Sequence, residues 1–200
     1  MTIRQRILKI IYPLFRPLSA ACGHNNTKVS HQKTSLMSFY NLSITLNNGS
    51  TLSFESLRGK RVLLVNTASE CGYTPQYEEL QQLYNQYRES LVIIAFPSND
   101  FGEQEPGSNA AIQQFCQKHY AISFPIAEKC EVKKGAGQHE IYQWLTDENK
   151  NGWNRIAPTW NFCKYLVDEQ GQLTHFFEAA IAPMGSAVIN ALEDTEEVNE

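Results

Sequence analysis

Val62-Leu63-Leu64-Val65-Asn66-Thr67-Ala68-Ser69-Glu70-Cys71-Gly72-Tyr73-Thr74-Pro75 changes character twice along its length. Val62 to Val65 is an unbroken apolar run, the pattern of a short strand buried on both faces. Asn66 to Gly72 is small and polar. Thr74 is a residue type that caps helices, Pro75 suits a first helical turn, and Tyr77, Leu80, Tyr84 and Tyr87 recur at helical spacing. Strand, tight loop and helix make an α/β unit. The loop holds a cysteine, Cys71, just past the carboxyl end of the strand, where sites form in open α/β sheets. Unpaired amides and the positive dipole end of the following helix favour thiolate over thiol at such a place. Gly72 leaves room for a substrate to approach.

Outward from this unit, the same class of element repeats. On the N-terminal side, Leu42 to Phe54 holds two alternating stretches around Asn48-Gly49, a hairpin signal that predicts a type I′ turn. On the C-terminal side, Leu91 to Phe96 is a second apolar strand, followed by a polar loop from Pro97 to Gly107. Ser108 is placed to cap a helix carrying Ala111, Ile112, Phe115 and Cys116 on one face. Gln138 to Leu145 predicts a short helix, Tyr165 to Val167 and Leu173 to Phe177 a second hairpin, and Met184 to Leu192 a closing helix. The expected fold is α/β of the thioredoxin kind, with a mixed central sheet flanked by helices and an N-terminal β-hairpin. The expected divisions are a leader and linker over residues 1–38, one domain over 39–193 and an acidic tail over 194–200.

Bulk properties set limits. Apolar residues at 42% and charged residues at 19% fit one globular domain, and a net charge of −4 gives no ground for nucleic acid or an anionic membrane surface as partner. The five cysteines (22, 71, 116, 130 and 163) include no pair at zinc spacing, and nothing resembles a phosphate loop. No metal, haem, flavin or nucleotide cofactor is implied. The leader leaves two alternatives. Arg4, Arg6 and Lys9, an apolar run from Ile10 to Phe15, and Ser19-Ala20-Ala21 before Cys22 resemble a lipoprotein export signal. The run is shorter than the about 7–15 residues such a signal uses and far below the about 20 that span a bilayer, so a disordered, uncleaved leader fits equally. The location is accordingly cytoplasmic or exported.

Three blocks, read together, carry a resemblance. Asn66 to Thr74 resembles the active-site segment of the glutathione peroxidase family, in which the position of Cys71 holds selenocysteine or cysteine. Phe96-Pro97-Ser98-Asn99-Asp100-Phe101-Gly102-Glu103-Gln104-Glu105-Pro106-Gly107 is similar to the family's second signature. Trp160-Asn161-Phe162 followed by Lys164-Tyr165-Leu166-Val167 is similar to the third. The blocks occur in the family's order, and the resemblance extends from about Phe39 to about Leu192.

The resemblance implies a hydroperoxide as substrate and Cys71 as the peroxidatic residue. Its thiolate would attack the O–O bond and become a sulfenic acid. Gln104, Trp160 and Asn161 would supply N–H donors around the sulfur, stabilising the thiolate and the charge on the departing oxygen. In the thioredoxin-dependent branch a resolving cysteine lies in the helix that here carries Cys116, and its disulfide with Cys71 would be reduced by a thioredoxin-like dithiol. Cys116 also lies on the apolar face, where a core cysteine would look the same. Direct reduction by glutathione without Cys116 therefore stands as a rival, as does a peroxide sensor that passes oxidation to a partner protein. Cys130 and Cys163 read as structural. The chain departs from many non-selenium members in having Ser98 where they carry cysteine. Its short Asp147–Ala157 segment lacks the insertion that builds the subunit interface of tetrameric members, which suggests a monomer and an open Cys71 site.

Overall fold

The computed structural model describes residues 27–30 and 34–193, together with four positions of the leader (3, 7, 10 and 11). The possible cleavage site at Ser19-Ala20-Ala21-Cys22 and the acidic tail lie outside the described residues. Among the described residues, no helix is long and apolar enough to cross a membrane.

The apolar runs form the centre of a five-stranded sheet. Its strands are β1 (Thr27–Val29), β4 (Arg61–Thr67), β5 (Leu91–Pro97), β6 (Lys164–Val167) and β7 (Leu173–Phe177), in the order β1-β7-β6-β4-β5. β4 and β5 run parallel, joined through helix α1 (Gln76–Tyr87), while β6 is antiparallel to β4 and β7 to β6. Helices α2 (Asn109–Tyr120), α3 (Glu140–Leu145), α4 (Glu148–Asn151) and α5 (Ser186–Glu193) complete the domain. The uniform apolarity of β4 and β5 has a direct cause: successive side chains enter two different cores. Val62, Leu64, Ile94, Phe96, Tyr165 and Val167 pack on one face with Phe39, Phe54 and Trp144. Leu63, Val65, Ile93, Ala95 and Leu166 pack on the other with Tyr77, Leu80, Ile112 and Cys116. The second face, beneath α1 and α2, is the one on which Cys71 lies.

Three local expectations are corrected. The N-terminal hairpin, β2 (Ser43–Thr45) with β3 (Thr51–Ser53), is present, but its turn is not type I′. Only Gly49, at φ 83°, is left-handed; Gly49 N–H donates to Leu46 C=O and Leu46 N–H to Ser50 C=O, which makes a type I turn closed by a glycine bulge. Asn48 instead accepts from the amide and hydroxyl of Ser50, which holds it at negative φ. Part of the stretch expected as linker, Thr27–Val29, pairs with β7 as an edge strand, because an unpaired edge accepts any short extended segment. Ala111 is exposed rather than on the buried face of α2, whose inward side is Ile112, Cys116 and Tyr120. Ser108 does cap this helix, accepting from the Ala111 amide.

Candidate active site

Parallel pairing of β4 with β5 delivers the loops after both strands to one end of the sheet, with Ser98 N–H donating to Thr67 C=O. Antiparallel β6 begins where β4 ends, so the chain entering it, Trp160 to Cys163, arrives at the same end. The three sequence blocks meet there for topological reasons.

Cys71 is fully buried. The Tyr73 amide points at its sulfur, with N to Sγ at 3.4 Å. Thr74, expected to cap α1, does something else. Its hydroxyl donates to Ala68 C=O at 2.8 Å and accepts from the Cys71 amide at 3.0 Å, cross-linking the loop and fixing the Cys71 backbone. The helix starts instead through successive tight turns from Tyr73, Thr74 and Pro75. The open site expected from the short Asp147–Ala157 segment is not seen: the sulfur is covered on all sides in this conformation, because Cys71 packs within the core beneath α1. Trp160, at 40% exposure, is the solvent-facing member of the group.

Gln104, Trp160 and Asn161 are brought together. Glu70 N–H donates to Gln104 C=O at 3.0 Å, tying the residue before Cys71 to the second loop. Asn161 Nδ2 donates to Gln104 Oε1 at 3.0 Å, which turns the Gln104 amide so that its own N–H₂ faces away from Asn161. A methyl placed on Gly102 would lie 3.7 Å from both Gln104 Nε2 and the Trp160 ring, so these two side chains converge over Gly102. The backbone is bent hard at two points flanking them. Gly102 and Glu103 are consecutively left-handed (φ 63° and 54°), and Phe162, immediately after Asn161, has φ 68°. Left-handed non-glycine residues cost on the order of 1 kcal/mol and concentrate at working sites. Phe162 is held there by its ring, edge-on to Tyr77 at 5.4 Å, and by its amide, which donates to Asn66 C=O.

Asn66 is a residue whose role the sequence reading missed. Buried at the end of β4, it donates from Nδ2 to Trp160 C=O at 2.9 Å and accepts at Oδ1 from the Cys163 amide at 3.1 Å. It therefore clamps the Trp160–Cys163 turn on both sides. The available signal was an asparagine extending an apolar run, since a buried amide needs partners. Glu105 was missed as well. It is buried, and the Ser69 hydroxyl donates to its Oε2 at 3.0 Å. Burial raises its carboxyl to about 7, with the Ser69 hydrogen bonds and Lys129 pulling the other way.

Cys116 lies on the Cys71 face, buried in α2, and neither cysteine is in a disulfide. Burial pushes the Cys116 thiol up to about 12, with the neighbouring Tyr77 hydroxyl opposing and Glu105 adding to the rise. Tyr77 Oη faces this thiol and Thr67 Oγ1. Cys163 is buried beside Thr159 on the opposite core face, and Cys130 is half-buried against that same core. Lys164 starts β6 fully buried, its ammonium donating to Ala179 and Ile181 C=O. Desolvation lowers its pKa to about 7. Among the described residues, no cluster of metal-ligating side chains occurs.

The chain is similar to known proteins over most of its length. The family model described as glutathione peroxidase matches residues 39–146. A glutathione peroxidase-like peroxiredoxin of Chlamydomonas reinhardtii is 43% identical over 159 residues, covering 76% of this chain and 97% of that protein. One of Schizosaccharomyces pombe is 44% identical over 147 residues, covering 72% and 91%. A crystal structure described as Trgpx in apo form superposes with a TM-score of 0.60 at 28% identity, over 80% of this chain and 97% of that one. The thioredoxin-like α/β fold expected from the sequence is the fold of these neighbours.

Proposed function

The chain belongs to the glutathione peroxidase family and is a peroxidase of that kind, and we propose that it works as a two-cysteine thiol peroxidase on hydrogen peroxide and organic hydroperoxides. Cys71 thiolate attacks the nearer peroxide oxygen. The O–O bond breaks, the distal oxygen leaves with a proton as water or an alcohol, and Cys71 becomes a sulfenic acid. Gln104 and Trp160 donate N–H groups to the sulfur and to the departing oxygen. Asn161 orients Gln104 through the bond to its Oε1. Cys116 then attacks the oxidised sulfur. Its proton leaves with the sulfenic hydroxyl as water, and a Cys71–Cys116 disulfide forms. A thioredoxin-like dithiol reduces that disulfide by exchange, becoming oxidised itself.

The observation that carries this reading is the convergence of three distant segments on the Cys71 loop: the Glu70–Gln104 backbone bond, the Asn161–Gln104 side-chain bond and the meeting of Gln104 with Trp160 over Gly102. A core cysteine would call for none of it. For Cys116 to reach Cys71, α2 must unwind locally, which fits a helix whose outward residues include Gln113, Gln114, Gln117 and Lys118.

The test is steady-state peroxide reduction with a thioredoxin system and with glutathione in parallel, on wild type and Cys116→Ser. Turnover with thioredoxin that disappears in the variant is the expected result. Turnover with glutathione that survives in the variant would make Cys116 a core residue and the one-cysteine route correct. No turnover with either reductant would favour a relay that passes oxidation to a partner protein.

A further inference from the structure

The proposed mechanism gives Glu105 no role, although it is a buried carboxyl between the two cysteine-bearing elements. One carboxyl oxygen accepts from Ser69, two residues before Cys71. The other faces Gly107, just before the Ser108 cap of α2. A methyl placed on Gly107 would sit 3.9 Å from Glu105 Oε1, 3.5 Å from Ala111 Cβ and 3.4 Å from Ile112 Cγ1. The backbone is fastened at the same place: Glu105 N–H donates to Asn99 Oδ1 at 2.9 Å, and Lys129 Nζ donates to Gly107 C=O at 2.7 Å. The side chain thus bridges the Cys71 loop and the start of the helix that must open for Cys116 to move.

We propose that Glu105 is a positioning residue for the resolving step: it holds α2 wound over Cys116 while its carboxyl is protonated and releases the helix when the carboxylate forms. The inference rests on the reading of Cys116 as the resolving thiol for its consequence, though not for its measurement. The physical reason is solvation. With α2 wound, an ionised Glu105 is cut off from water. Unwinding the first turn moves the buried Ile112 away from the Gly107 side of the carboxyl and lets water reach it.

The charged and titratable groups around it set the direction. From the Cys71 loop, Glu70 opposes ionisation; from the segment before α3, Lys129 favours it. From α1 and α2, Tyr77 and Cys116 feel the carboxylate and stay protonated. The wound state has a carboxyl raised to about 7 against 4.5 for a hydrated one. Its advantage is therefore complete below the lower value and is lost as pH rises through the upper. Opening becomes more favourable with rising pH, by about tenfold between about pH 6 and 8.

Amide hydrogen exchange on the reduced full-length protein, without peroxide, tests this directly. After correction for intrinsic rates, protection of the Ile112, Phe115 and Cys116 amides is expected to fall about tenfold from pH 6 to 8. Protection of Leu80 and Leu83 in α1 is expected to stay level. In Glu105→Gln, which keeps a neutral side chain, α2 protection should be flat and remain at the low-pH level. A second variant, Ser69→Ala, removes a donor to the carboxylate and should move the transition to higher pH without abolishing it. A level wild-type profile, an unchanged slope in Glu105→Gln or an unmoved transition in Ser69→Ala would each overturn the proposal. Failure here would leave the peroxidase reading intact, whereas thioredoxin-linked turnover that ignores Cys116→Ser would sink the two-cysteine route and leave the helix latch standing.

Discussion

Two buried asparagine sites in this molecule are built on opposite principles. Asn151, the last residue of α4, and Asn154, just after it, satisfy every side-chain polar atom they have. Asn151 donates to Trp144 and Asn154 C=O and accepts from the Trp153 and Asn154 amides; Asn154 donates to Leu145 and Ile156 C=O and accepts from the Ile156 amide. Asn161, at the sheet end near Cys71, donates to Gln104 and leaves its buried Oδ1 without a partner. Gln76 Oε1 on that side is also unpartnered, as are Asn47 Nδ2 and Tyr142 Oη elsewhere. The left-handed Glu103 and Phe162 flank the Asn161 group. A region that closes its hydrogen bonds serves the fold; one that holds them open at a cost of about 1–3 kcal/mol each has a use for them.

Exchanging the consequences of the two sites would break this contrast. Asn161→Ala is expected to lower the second-order rate with peroxide on the order of 100-fold while costing only about 1 kcal/mol of stability. Asn151→Ala should do the reverse, losing about 3 kcal/mol by leaving backbone groups of Trp144, Trp153 and Asn154 unpaired, with the rate per folded molecule unchanged. Stopped-flow peroxide consumption beside urea unfolding measures both, and similar profiles for the two variants would erase the distinction.

Lys164 sharpens the comparison from the charge side. Its folded pKa is lowered from 10.5 to about 7, so the folded chain binds fewer protons than the unfolded chain between those values. Stability should therefore climb with pH, by about 2 kcal/mol from about pH 7 to 9. Urea midpoints at those two pH values should separate in wild type and coincide in Lys164→Met. The smallest effect is expected at Thr74. Thr74→Val removes the hydroxyl between Ala68 and Cys71 and should cost about 1–2 kcal/mol. It should also slow Cys71 oxidation several-fold by loosening the Cys71 backbone. A normal rate in a destabilised Thr74→Val would confine that hydroxyl to the fold.

Local pattern was legible wherever adjacent residues specify it. The strand over Val62 to Val65 (Arg61–Thr67 in the structure), the Ser108 cap and the second hairpin all follow from neighbours in sequence. Thr74 was misread for the same reason. A threonine before proline has the chemistry of a cap, but the Ala68 carbonyl and Cys71 amide lie within its reach once the loop is folded. The hairpin turn differs because Asn-Gly supports both a type I′ turn and a type I turn with a glycine bulge, and the Ser50 contacts to Asn48 select between them.

The sequence by itself determined the two-faced central strands, the place of Cys71 at a strand end and the membership of three blocks in one site. Apolar patterning and residue type encode the first two directly, and the third follows from the resemblance of the blocks to one family. Only the tertiary structure decided that Asn66 clamps the turn before β6, that Gln104 is oriented by Asn161 and that Glu105 is buried against Ser69. Those partners lie 97, 57 and 36 residues apart along the chain. Desolvation, which raises Glu105 and lowers Lys164, belongs to the atoms packed around a group rather than to the group itself, so it comes into being only when the sheet and its helices close.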